Sequence, residues 1–291
     1  MLKVREFVDL HMHSHYSDGT WSPEEIVDHA LAQNLSIIAL TDHDSVEGLE
    51  PARSHLAGCS RSDLKFLNGV EVSVRFQGRD LHLLGYFPDV VIPESEAWTE
   101  LRSVLSRNKL VRHQFALDLV EFLNGKGLPL TMQSIIEEVG PGTIGKAHLT
   151  KAIIACGIAN DIGEAYARFF GSDSCDSVLK SIPRNWISLE EGLQAILSAK
   201  GISIVAHPGY EGCETEDLLL ALKQAGVMGI EVFHSYHDEK ARVRLLNFAR
   251  THEMLVTGGS DCHGPWQGGA PYMGSQSLGS DLFSDFLSLI C

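Results

Sequence analysis

His11 and His13 stand two residues apart after a short apolar run, so extended backbone would aim both imidazoles to one side as a pincer. Titratable groups keep returning at the ends of, or inside, similar runs. Thr41-Asp42-His43-Asp44 follows Ile37-Ile38-Ala39-Leu40, Glu71 lies between Val70 and Val72, and His82 lies between Leu81 and Leu83. His207 ends Ile202-Ser203-Ile204-Val205-Ala206, and Asp261 and His263 follow Gly258-Gly259-Ser260. Asp18 sits in the loop Ser17-Asp18-Gly19. Each piece alone has a plain reading: Asp-Gly is a turn pair, Asp44 or Ser45 caps a helix, and a strand histidine packs in a core. Charge is tolerated inside a protein when it is paired or bound to metal, and a lone buried glutamate is rare. Nine imidazoles and carboxylates recurring at one topological position therefore read together as a metal site: His11, His13, Asp18, His43, Glu71, His82, His207, Asp261 and His263.

The donors are nitrogen and oxygen, with only Cys262 adjacent as a thiol, which suits Mn, Zn or Fe better than Mg or a cysteine-rich structural zinc. Nine side chains exceed the needs of one ion and fit two or three. Clustered divalent ions polarise a phosphoryl group and lower the pKa of bound water from about 15.7 towards about 7. Phosphate-ester hydrolysis is the reaction expected.

Such residues need strands to carry them. From Phe7 to Phe87 short apolar runs alternate with helical patterns, the rhythm of a parallel α/β sheet or barrel. Ser22 with Glu25, and Pro23 between them, predicts a helix start, as does Ser188 with Glu191. A further helix is expected near residues 45–56. From about Glu94 to Asn185 the strand runs vanish, and Leu101, Leu105, Leu119 and Leu123 mark a helix stopped by Gly125 and Gly127. Seven strand candidates result. The expected domains are an α/β barrel core of residues 1–92 and 186–291, interrupted by a helical insertion of residues 93–185.

The 291 residues are 44% hydrophobic and 21% charged, enough apolar material for a sizeable core. The net charge of -15 argues against wrapping duplex DNA, and no run is long enough to span a membrane. The N-terminus lacks the pattern of a signal peptide, and six scattered cysteines without a CxxC pair suit a reducing compartment, so a cytoplasmic location is expected.

The ordered motifs HMHS, SDG, TDHD, GVEVS, HLLGY, AHPG, IEV and GSDCH resemble the PHP (polymerase and histidinol phosphatase) family over nearly the whole chain. Within it, the likeness is to stand-alone enzymes that remove the 3′-phosphate of nucleoside 3′,5′-bisphosphates, some of whose relatives are 5′ to 3′ exoribonucleases. The resemblance implies a distorted (β/α)7 barrel with a trinuclear site and a metal-bound hydroxide as nucleophile. Position by position, His11, His13, Glu71 and Asp261 would hold one ion. Glu71 would bridge to a second held by His82 and His207, and Asp18, His43 and His263 would hold the third. Asp18, His43, Glu71 and His237 would take part in the chemical step.

The departures fall where substrate is gripped. The arginine usual after HPG is Tyr210, and an arginine-x-histidine pattern of the insertion is Lys146-Ala147-His148. Lysine keeps the charge without the bidentate fork, and tyrosine loses it. Lys146, His148, Tyr210 and His237 are the expected substrate contacts. His234 and His237 stand where a proton donor or a phosphate contact is needed. Of Trp21, Trp98, Trp186, Tyr236 and Trp266, most are expected to be packing residues, and a platform on which a base would stack is to be sought among them. The expected partner is a small phosphorylated substrate, a nucleotide or a single-stranded RNA end. The alternatives are a phosphatase for another metabolite, such as histidinol phosphate, and a non-catalytic metal-binding module.

Overall fold

The computed structural model describes residues 7–60, 63–88, 96–140, 142–171, 178–209, 215–265, 273–276, 278–279 and 283–290. The strands are β1 (Phe7–Asp9), β2 (Ile37–Leu40), β3 (Lys65–Phe76), β4 (Arg79–Phe87), β5 (Ile187–Ser188), β6 (Ile202–Val205), β7 (Gly229–Phe233), β8 (Leu255–Gly258) and β9 (Leu278–Gly279). The α-helices are α1 (Pro23–Ala32), α2 (Leu49–Gly58), α3 (Thr99–Gly125), α4 (Met132–Val139), α5 (Lys146–Ala155), α6 (Ile162–Ala165), α7 (Val178–Ser181), α8 (Leu189–Ser198), α9 (Glu216–Ala225), α10 (Glu239–Thr251) and α11 (Ser284–Ile290). Ser22 and Ser188 cap α1 and α8 through capping boxes with Glu25 and Glu191, as their spacing predicts.

Seven staves run in the order β1-β2-β3-β4-β6-β7-β8. The ring closes through backbone bonds from Leu10 N–H to Gly258 O at 3.2 Å, Asp261 N–H to His11 O at 2.9 Å and His13 N–H to Cys262 O at 2.9 Å. Gly259 permits this approach, since a Cβ there would meet His11 backbone nitrogen at 2.5 Å. At the start of β1, β9 pairs antiparallel with Phe7 and Val8. Tail residues Phe283 and Phe286 pack in a cluster with Val8, Leu10, Leu84 and Ile204, so α11 closes on the strands.

The expected parallel rhythm fails at one stave. β4 is antiparallel to both β3 and β6. Gln77 and Gly78 both have positive φ, 46° and 78°, the backbone a two-residue hairpin turn requires. Glu71 and His82 consequently sit inside long strands rather than at carboxyl ends, and the hairpin projects beyond them.

The connection after β4 is helical. α3 spans 27 residues, about 40 Å. Its first half, with Leu101, Val104 and Leu105, packs in the barrel core beside Trp98, which lies against Phe87 with ring centroids 4.4 Å apart. Its second half, with Phe115, Leu119 and Leu123, joins a separate core with Ile135, Ile153, Phe169 and Ile182. One helix is therefore shared by both cores. Among the described residues, no helix is long and apolar enough to cross a membrane.

Candidate metal centre and its cleft

Glu71 is fully buried in β3, and five imidazoles converge on its two oxygens. Oε2 lies 3.1 Å from His11 Nε2, His13 Nε2 and His43 Nδ1. Oε1 lies 3.1 Å from His82 Nδ1 and 3.0 Å from His207 Nε2. Asp261 Oδ1 stands 3.0 Å from His13 Nε2, while Asp18 Oδ1 stands 3.3 Å from His263 Nε2 and 3.8 Å from His43 Nε2. All nine residues singled out from the sequence thus meet in one place. His207 and Asp261 reach it from left-handed backbone, φ 23° and 55°, strain that clusters at functional sites.

The donor set fits divalent ions. Two donors bound to one ion at about 2.1 Å stand roughly 3.0–3.4 Å apart, which is the spacing around Glu71, and the Asp18–His43 pair at 3.8 Å is wider. His13 Nε2, His43 Nδ1 and Asp18 Oδ1 are buried yet make no hydrogen bond, although they face other donors across the cluster. Three overlapping groups result: His11, His13, Glu71 and Asp261; His43, Glu71 and His82; and His13, Asp18, His43 and His263. Electrostatics agree. Burial opposes the carboxylate charges of Glu71, Asp18 and Asp261, but the surrounding histidines hold all three well below the usual carboxylate range. The carboxylates in turn draw protons onto imidazoles. Burial resists the charge on His263, yet Asp18 and Asp261 push it up to about 9, and Glu231, Glu71 and Asp261 likewise raise His11. His43 moves the other way under burial.

A surrounding layer of carboxylates lies outside the nine ligand candidates. Glu231 of β7 lies 3.0 Å from His11 Nδ1 and accepts the His207 backbone N–H at 2.8 Å. It is a second Glu flanked by buried aliphatic residues, Ile230 and Val232, the same signal that marked Glu71. Asp42 accepts bonds from Ser14 N–H at 2.7 Å and Ser17 Oγ at 2.6 Å, fixing the loop that carries Asp18. His234 Nε2, fully buried, stands 3.5 Å from Asp261 Oδ2.

Other expectations change. Asp44 caps no helix. It accepts from Ser73 N–H at 3.0 Å, Asn108 Nδ2 at 2.7 Å and Arg112 Nε at 2.7 Å, tying α3 to the barrel. His237 is engaged by backbone on both nitrogens: Nδ1 lies 2.8 Å from Val232 O, and Nε2 accepts the Gly209 N–H at 3.0 Å. It holds the turn after His207. His148 is buried and its Nδ1 accepts the Gly145 N–H at 3.2 Å, while burial lowers it to about 4, so it is a neutral brace at the start of α5. Burial pushes the Cys262 thiol up to about 11, and its Sγ accepts the Gly264 N–H at 3.4 Å. Trp98 is core. Tyr210 and Trp266 lie outside the described residues.

A cleft of about 720 Å³ opens from the cluster towards the insertion. Asp18, His43, His82, His207, Asp261 and His263 line one end. Lys146, the first residue of α5, lines another part together with Tyr166, Phe170, Trp186 and Tyr236. Gly145 lets α5 begin against the cluster, since a Cβ there would meet Asp18 Oδ2 at 2.1 Å.

Known proteins give an independent reading. Residues 9–198 match the PHP domain. The chain is 31% identical over 266 residues to the 3′,5′-nucleoside bisphosphate phosphatase of Chromobacterium violaceum, covering 90% of this chain and 89% of that protein. It is 28% identical over 260 residues to the 5′-3′ exoribonuclease of Haemophilus influenzae, covering 88% and 90% respectively. A solved structure from Bifidobacterium adolescentis, described as a metal-dependent phosphoesterase, has a TM-score of 0.83 at 27% identity and covers 98% of this chain and 96% of its own.

Proposed function

The chain belongs to the PHP family, and from that premise we propose that this metal-dependent phosphoesterase hydrolyses a phosphomonoester of a nucleotide. The substrate named by this reading is a nucleoside 3′,5′-bisphosphate, with 5′-phosphorylated ends of short single-stranded RNA accepted in the same cleft. The observation that carries it is the gathering of eight ligand-type residues around Glu71 at one end of a nucleotide-sized cleft. The names of the two relatives, a bisphosphate phosphatase and an exoribonuclease, support the substrate class.

Three ions of Mn, Zn or Fe are assigned to this centre in the ligand sets that the family resemblance implies, which redistribute the nine side chains of the cluster. His11, His13, Glu71 and Asp261 take the first, Glu71, His82 and His207 the second, and Asp18, His43 and His263 the third. Bound there, they would polarise the phosphoryl oxygens and supply water acidic enough to attack near neutral pH. The chain's own residues do the rest. Glu71 shares its two oxygens between groups and so fixes their separation. Glu231 orients His11 and holds the His207 backbone, while Asp42 anchors the Asp18 loop. Lys146 meets substrate charge as a compact cation, and α5, starting against Asp18, shields the reacting end of the cleft from water.

The test is phosphate release by Mn-loaded protein from adenosine 3′,5′-bisphosphate, AMP and histidinol phosphate, with His11→Ala and Asp261→Ala as controls. Preference for the bisphosphate, and loss of turnover in both folded variants, are expected. Undiminished turnover in the variants would remove the metal centre from the chemistry. Preference for histidinol phosphate would keep the centre and overturn the substrate.

A further inference from the structure

The chain carries 23 lysines and arginines against 38 acidic residues, yet the wall of the cleft reverses that balance. Among the described residues lining it, five are basic and three acidic, and two of the acids, Asp18 and Asp261, belong to the metal cluster. That leaves Asp80 as the one acid elsewhere on the described wall. It serves two guanidiniums at once: its Oδ1 lies 2.7 Å from Arg75 Nη1 and its Oδ2 2.5 Å from Arg184 Nη2. Arg79 lines the cleft beside them, so among the described residues this stretch of wall carries three guanidiniums and one carboxylate.

The hairpin sets how far this group stands from the metal cluster. Asp80 precedes His82 by two residues on β4, so both side chains lie on one face about 7 Å apart along the strand. Across the hairpin, Ser73 pairs with His82 and Arg75 with Asp80, one pleat repeat further out than His82. Arg184 arrives on the segment leading into β5, which pairs with Val74 and Arg75, and its guanidinium lies over the Phe115 ring at 5.4 Å. Arg75 and Arg184 are thus ordered from several sides before any ligand binds, which lowers the cost of binding one.

We infer that Arg75, Arg79 and Arg184, arranged around Asp80, form an anion subsite for a substrate phosphate other than the one being cleaved. The inference rests on the phosphoesterase reading and specifies its substrate class: an ester with a second phosphate one sugar away from the reacting one. Arginine forks suit phosphate oxygens, and the span of one pleat repeat places the two anionic groups on a common nucleotide rather than on separate molecules. The chain in this way places arginine in the cleft wall although tyrosine stands at position 210 and lysine at 146.

The test compares adenosine 3′,5′-bisphosphate with 3′-AMP, which shares the nucleoside and the scissile phosphate but lacks the second. In the Mn-loaded protein, Arg79→Gln/Arg184→Gln is expected to raise KM for the bisphosphate at least tenfold and KM for 3′-AMP less than twofold. Equal changes for both substrates, or none, would overturn the subsite. Should the double variant fail to fold, exposed Arg79→Gln alone carries the test, with a threefold selective rise expected and equal behaviour overturning it. If the wild type hydrolyses neither ester, the phosphoesterase reading falls instead. Calorimetric binding of the two ligands to wild type and Arg79→Gln then decides the subsite by itself, through the same selective loss or its absence.

Discussion

One carboxylate outside the ligand set organises two members of it. Glu231 faces His11 Nδ1 and the His207 backbone, so it sets the ring orientation of one ligand and the strand end of another. In the proposed site His11 Nε2 would face the ions, Nδ1–H would donate to Glu231, and the carboxylate charge would make the imidazole a better donor to metal. Glu231→Gln keeps the shape and removes the charge. Metal affinity, measured by competition with a chromogenic chelator, should fall 10- to 100-fold with the fold retained. Unchanged affinity would reduce Glu231 to a packing role. The nine ligand candidates were legible in the sequence because imidazoles and carboxylates interrupting apolar runs are costly without a partner. Glu231 carried the same mark between Ile230 and Val232, but it stood apart from any neighbouring titratable cluster. The roles of His148 and His237 were not legible, because each is decided by a backbone group, Gly145 N–H or Val232 O, that no side-chain pattern announces.

The β3–β4 hairpin was readable as two strands but not as a reversal. Its turn, Gln77-Gly78, is short, and Gln77 is an unusual residue for positive φ, so the pair lacked the strong Asn-Gly signature. The helix α3 was legible from the spacing of its leucines, yet the way it is anchored was not. Asp44, held at φ 49°, collects Ser73, Asn108 and Arg112, and Arg112 also donates to Ile144 O at 3.1 Å. This buried ion pair joins the shared helix to the strand end beside His43. Removing one partner of a buried pair leaves an uncompensated charge and typically costs about 3–5 kcal/mol. Arg112→Met should therefore lower the unfolding free energy by about that much in urea titrations of the Mn-loaded protein. Adding Asp44→Asn should recover part of it, since the stranded charge is then gone. A loss below about 1 kcal/mol, the range of a surface pair, would show that the helix is held by packing alone.

At the scale of the molecule, the metal centre concentrates acidic charge in a protein already at net charge -15, so bound cations are part of its stability. The pH dependence should have opposite signs with and without them. In the metal-free protein, Asp18 and Asp261 raise His263 to about 9 despite burial. A raised folded-state pKa contributes stability that is complete below the unfolded value, near 6.5, and is lost as pH rises towards 9. His11, raised well above its ordinary value, acts in the same direction. For His263 the loss is on the order of 3 kcal/mol by the conversion of about 1.4 kcal/mol per pKa unit. The depressed carboxylates do not oppose this, because their contribution is already complete above the unfolded carboxylate range. In the loaded protein the imidazoles must be deprotonated to bind, so affinity strengthens over the same interval. The gap between the melting temperatures of Mn-loaded and chelator-treated protein should consequently widen from pH 6.5 to 9. It should narrow below pH 6, where protons occupy the imidazoles and hold the carboxylates together in the metal's place. A gap that stays constant across this range would mean that the ions bind elsewhere and that the Glu71 cluster is held by its own hydrogen bonds.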